Sequence, residues 1–85
     1  MQTQESKQII ERFYSAIEAL IAKGELKGVA TYCRWYGIDR RNFITQRNDH
    51  NRKYFQLSWL QPMILKHHIN AEWLITGHGR MFLQQ

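Results

Sequence analysis

Apolar residues recur at three- and four-residue steps along almost the whole chain and hardly anywhere alternate, so the periodicity is helical throughout. Ile10, Phe13, Ile17, Leu20 and Ile21 form one stripe about four turns long, with Glu11, Arg12 and Glu18 on other faces. The spacing predicts a first helix over 7–22, with Ser6 placed to cap its start and Gly24 to end it. Val29, Tyr32, Cys33 and Tyr36 predict a second helix over 29–36, stopped at Gly37. Glycine takes a positive φ at least cost, so a sharp turn is expected there. Ile38 follows as an apolar plug. Asp39 is a good N-cap for a third helix over 40–47, whose clearest inward residue is Phe43. The polar run NDHNRK, residues 48–53, reads as a loop. A fourth helix is expected over 58–68, where Pro62 imposes a choice: either Ser58 caps the helix and Pro62 sits in its first turn, or the regular helix begins near Gln61. A fifth fits 71–76, capped by Asn70, carrying Glu72 in its first turn and ended by Gly77. The expected fold is an all-α, five-helix bundle with short connections, one domain over residues 1–85.

Composition adds limits. A chain of 85 residues, 44% apolar and 13% aromatic, builds a modest core without needing disulfides or metals. The lone Cys33 forms no intramolecular bridge, which fits a reducing compartment. No apolar run approaches a membrane span, and MQTQESK lacks the apolar centre of a signal peptide, so a cytoplasmic protein is expected. The formal net charge is +5, and its distribution says more than its size. Residues 1–33 balance. Residues 34–53 hold Arg34, Arg40, Arg41, Arg47, Arg52 and Lys53 against only Asp39 and Asp49. Such a segment suits a polyanion, because each neutralised phosphate releases condensed counterions. The plainer alternative is a solvated basic face.

The turn sharpens this. Two short helices joined at a tight glycine cross steeply, and the small Cys33 lets them approach, with Tyr32, Tyr36, Ile38 and Phe43 filling the angle. That is the helix-turn-helix pattern, in which the second helix enters the major groove of DNA N-terminus first. Arg40, Arg41, Asn42 and Thr45 are then the candidate base contacts, since arginine bonds guanine bidentately and asparagine does the same for adenine. Gln46, Arg47, Asn51, Arg52 and Lys53 are candidate phosphate contacts. An ordinary helical corner with a charged, solvated outer helix is the competing reading.

The stretch VATYCRWYGIDRRNF resembles the helix-turn-helix of lambda-repressor-like and Cro-like DNA-binding domains, with Tyr32, Cys33, Gly37 and Ile38 at the recurring bulky, small, glycine and apolar positions. INAEWLITGHGRMF, 69–82, resembles the close of many small phage-repressor-type domains, through Trp73, Leu74, Thr76, Gly77, Gly79 and Met81. The resemblance spans 29–82. It implies a lambda-repressor-like bundle, sequence-specific duplex DNA binding through helix 40–47, transcription regulation, a nucleoid-associated place in the cytoplasm, and a phage or mobile-element source. Two departures stand out. Gln46 occupies a position three after Phe43 where the family has an apolar residue, which would rotate the third helix or end it early. The loop 48–53 also lacks the family's glycine-containing turn.

No enzyme, cofactor or metal is expected. His67 and His68 are adjacent and point about 100° apart on a helix, His50 and His78 are distant, and Cys33 has no cysteine partner. His67 and His68 read as surface or interface groups near a helix C-terminus. Cys33 reads as a small buried hydrophobe, no carboxylate pair suggests acid–base work, and GHG lacks the context of a phosphate loop. Trp59, Trp73, Tyr14 and Tyr54 read as core or near-core, while Trp35, opposite Tyr32, reads as exposed and either packed against a sugar-phosphate backbone or, the favoured placement, over the fourth helix. Specific binding by one short helix favours a two-fold dimer on DNA half-sites, and the apolar set Ile64, Leu65, Trp73, Leu74, Met81 and Phe82 is its candidate surface. The functional alternative is a non-enzymatic helical adaptor whose basic patch meets an acidic protein.

Overall fold

The computed structural model describes residues 3–83. Among them the regular structure is all helical: α1 Gln4–Ala22, α2 Val29–Tyr36, α3 Arg40–Asn48, α4 Leu60–His67 and α5 Ala71–Thr76, with a single 3-10 turn at Leu57–Trp59 before α4. An isolated antiparallel bridge pairs Ile69 with Phe82.

Local chemistry sets most of the ends. The Asp39 carboxylate accepts from the Asn42 N–H at 3.0 Å and caps α3, and Asn70 caps α5 through the Glu72 N–H. Gly37, at φ 67°, and Gly77, at φ 83°, turn the chain left-handed after α2 and α5, a conformation that favours glycine. Gly77 is constrained twice, because a Cβ there would stand 3.2 Å from an Arg12 guanidinium nitrogen.

The first helix begins earlier than the sequence suggests. Thr3, not Ser6, is the cap: its hydroxyl accepts the Ser6 N–H at 3.1 Å, so Ser6 lies inside the first turn. Two hydroxyls three residues apart are equally good caps on paper, and the earlier one gains a turn of helix. At the fourth helix Ser58 makes no capping bond. The chain enters through the 3-10 turn instead, and Pro62 falls in the first turn of α4, where its missing N–H leaves no helical bond unmade.

The core is aromatic and centres on Phe13 of α1. Its ring meets Tyr14, Tyr32, Phe43 and Phe55 edge to face, with centroids 5.1, 6.0, 5.7 and 5.4 Å away, and Trp59 at 6.5 Å in a tilted arrangement. Edge-to-face geometry sets the positive ring edge against the negative face, beyond what burial alone supplies. Two buried hydroxyls then tie helices to one another. Tyr14 donates to the Phe43 carbonyl of α3, and Tyr32 to the Trp59 carbonyl, both at 2.7 Å.

The C-terminal part closes over α1. Arg12 donates to the Leu74 and Ile75 carbonyls at 2.9 and 2.8 Å, supplying donors and positive charge where a helix C-terminus lacks partners. The tail returns beside α5, with the Asn70 N–H on the Met81 carbonyl and the Leu83 N–H on the His68 carbonyl.

Several expected placements change. Leu74 is fully buried, and Ile64, Trp73, Met81 and Phe82 pack against the core, leaving Leu65, 63% exposed, as the one widely open member of the proposed dimer surface. Most of that apolar set therefore serves the core. Tyr54 is exposed rather than near-core. His67 is buried rather than at the surface. Its Nε2 lies 2.8 Å from the Tyr36 hydroxyl, Trp35 stacks parallel on its ring, and Glu25 stands 3.7 Å from its Nδ1. Trp35 itself is half exposed and covers α4 through that stack, as expected. Among the described residues no helix is long and apolar enough to cross a membrane.

Burial pushes the Tyr14 and Tyr32 hydroxyls well above their ordinary value. Above about pH 10 the unfolded chain releases phenolic protons that the folded chain keeps, so stability present below that pH falls as the pH rises further. Urea midpoints measured from pH 7 to 11 are expected to hold and then drop. Tyr32→Phe is expected to lower stability at pH 7 by about 1 kcal/mol, through loss of the buried hydroxyl bond to the Trp59 carbonyl, and to flatten the alkaline drop.

Candidate nucleic-acid interface

The basic segment folds as one unit, α2, the turn at Gly37, α3 and the loop that follows. Inside the corner Tyr32 and Phe43 are fully buried and Cys33 nearly so, with Tyr36 and Ile38 packed at its edge. Burial raises the Cys33 thiol above its ordinary value, and the Arg40 charge opposes that only in part. The cysteine is a packing residue between the two helices, consistent with a protonated thiol.

Phe43 and Gln46 are the buried residues of α3, and at about 100° per residue they define its inner side. Arg41, Thr45 and Asn48 fall in line on the opposite side, with Ile44 beside them. Arg40 and Arg47 flank that line on one edge and Asn42 on the other. Arg40 and Arg41 are exposed, and no carboxylate of the described residues lies within ion-pair distance of either. Asn42 and Thr45 are partly exposed. The four proposed base contacts thus lie on one helix, Arg40, Arg41 and Asn42 in its first turn and Thr45 one turn further on. The Asp39 cap beneath them keeps that first turn helical.

Asn48 was missed by sequence reasoning, which ended the helix at 47. It is exposed, belongs to α3, and accepts from Arg47 Nε at 3.3 Å. Its three-residue step from Thr45 and seven-residue step from Arg41 were the available signal.

The phosphate set divides. Arg47 is partly exposed, and Asn51, Arg52 and Lys53 are exposed on the loop after α3. Arg52 lies 3.5 Å from Asp49 across an open surface. Gln46 is the correction. It has 0% exposure and faces inward, so it does not reach a phosphate. Its side-chain oxygen accepts the Tyr54 and Phe55 N–H groups at 2.8 and 3.0 Å, and its amide donates to the His50 carbonyl at 3.1 Å. The departure at this position therefore neither rotates α3 outward nor shortens it. The glutamine takes the inward place of an apolar side chain and makes hydrogen bonds there. His50 stacks on Tyr14, with centroids 6.2 Å apart and planes 10° from parallel, and holds the same loop from the other side.

Among the described residues no three His, Cys, Asp or Glu side chains gather as a metal site. The surface at α3 offers fixed positive charge, amide and hydroxyl groups, which is chemistry for binding an anion.

Removing the α3 cap tests how far this surface depends on it. Asp39→Ala is expected to destabilise the fold by about 1 kcal/mol and to speed hydrogen exchange at the Asn42 amide more than at Phe43 or Gln46, as read by NMR.

No protein-family model matches the chain, and no curated protein or solved structure matches it.

Proposed function

We propose that the protein binds duplex DNA as a lambda-repressor-like helix-turn-helix module, with α3 reading base edges in the major groove, and that it serves as a small transcription regulator. One observation carries this reading. Arg40 and Arg41 stand exposed, with no carboxylate partner among the described residues, at the leading end of a capped helix whose inner side is fixed in the core. Unpaired arginines held there have the reach for bidentate contacts with guanine, and Asn42 and Asn48 for contacts with adenine. Arg47, Asn51, Arg52 and Lys53 then follow the phosphate backbone and set register. Residues 34–53 hold most of the chain's excess positive charge, which draws a polyanion to this side of the molecule. The reading rests on these residues rather than on a match to a known protein.

Selection of bound sites from a random duplex pool, followed by titration of a selected and a scrambled duplex over a salt series, tests it. Affinity is expected to fall log-linearly with salt, by a slope of about 0.9 per neutralised phosphate. Arg41→Ala should cost about 1–3 kcal/mol on the selected duplex and relax preference at one position, while Lys53→Ala should weaken both duplexes alike and reduce the slope by about 1. No enrichment from the pool, with salt-insensitive capture of an acidic protein instead, would reject the DNA reading in favour of the adaptor.

A further inference from the structure

Gln46 is the fully buried polar side chain of α3, and its partners all lie in the next segment of chain. The side-chain oxygen has two lone pairs, and both are used, by the Tyr54 and Phe55 N–H groups. The amide nitrogen donates to the His50 carbonyl. One carboxamide thus grips both ends of the loop, four residues and eight to nine residues downstream. Asn51, Arg52 and Lys53 lie between the two grips, all exposed. The anchors are themselves seated: the His50 ring on Tyr14, and Phe55 against Phe13 and Trp59, at 5.4 and 5.3 Å. Inside the loop, the Asp49 carboxylate accepts the Asn51 N–H at 3.1 Å.

We infer that Gln46 is a positioning residue for nucleic-acid binding: it fixes the loop carrying Asn51, Arg52 and Lys53 in register with α3, so that base-edge and backbone contacts are presented as one rigid surface. This rests on the duplex-binding reading and adds the device that couples its two halves. The chemistry singles out a carboxamide. An apolar side chain fills the same space but leaves three backbone groups of the loop unpaired. A carboxylate keeps the acceptors and loses the donor to His50. A loop held before contact does not have to be ordered on binding, so more of each phosphate contact appears as affinity.

Gln46→Met keeps side-chain volume and removes all three bonds. Hydrogen exchange at the Tyr54 and Phe55 amides is expected to quicken about tenfold or more beyond any change at Ile17 of α1, whose exchange reports global stability. Affinity for a random duplex should fall about three- to tenfold with a shallower salt slope. Gln46→Glu, retaining the acceptor oxygens, should keep the Tyr54 and Phe55 amides better protected and lose less affinity. The decisive comparison is with Lys53→Ala. If Gln46 acts through the loop, the double variant loses less than the two single losses combined. Faster exchange with unchanged affinity and slope, or fully additive losses, overturns the positioning role while leaving duplex binding intact. Failure of the unaltered protein to bind any duplex overturns the DNA reading and this role together. Rapid Tyr54 and Phe55 exchange in the unaltered protein overturns the loop-fixing step directly.

Discussion

A polar group enclosed by an aromatic core must find its hydrogen bonds there, and three such groups determine how the helices sit. The Tyr14 and Tyr32 hydroxyls and the Gln46 carboxamide are all inside, and each is satisfied by backbone belonging to a neighbouring segment. Leaving one of them unpaired costs about 1–3 kcal/mol, a large share of the stability of a domain this small. Among the described residues every buried side-chain nitrogen and oxygen has a partner. The Tyr14 bond to the Phe43 carbonyl and the Gln46 bonds to the loop have the sharpest effect. Turning α3 by one residue would break all of them, so the direction in which its arginines point is settled from within the core.

Much of the architecture was legible because it is set locally. The observed bounds of α2 and α5 coincide with those expected, since Gly37, Asn70 and Gly77 act on their own few neighbours. Asp39 did the same for the start of α3. Apart from the start of α1, where two nearby hydroxyls competed, and the last residue of α3, the errors fall where distant contacts decide. Hydropathy marks Gln46 and His67 as surface residues, yet both are inside, because Gln46 meets the chain eight and nine residues ahead and His67 meets Tyr36 across the bundle. No periodicity in the sequence reports a partner that arrives by folding. The C-terminal apolar set is less open than expected for the opposite reason: Leu74 and its neighbours looked surplus only because the contribution of α1 to covering α5 was not visible in one dimension.

The candidate surface shows the same division. That Arg40 and Arg41 would follow a capped turn could be read directly from Gly37, Ile38 and Asp39. That they would lack carboxylate partners could not, since the acidic residues of α1 might have folded onto them. Instead, Glu5, Glu11 and Glu18 of α1 lie exposed, and none of them pairs with either arginine. Glu25, in the turn after α1, is hydrogen-bonded by Lys23, which lowers its carboxyl below the usual range, and it faces His67. The segregation of charge along the chain thus survives as segregation in space.

The grip of Arg12 on the far end of α5 has a consequence for how the chain becomes folded. Its two bonds join residues 62 and 63 positions apart, and the six-residue helix they close is too short to persist alone. While residues 74 and 75 of a nascent chain are still inside the ribosomal exit tunnel, the Arg12 guanidinium on α1 has neither carbonyl to hold. The seating of α5 therefore waits for those residues to emerge, however early α1 itself has formed.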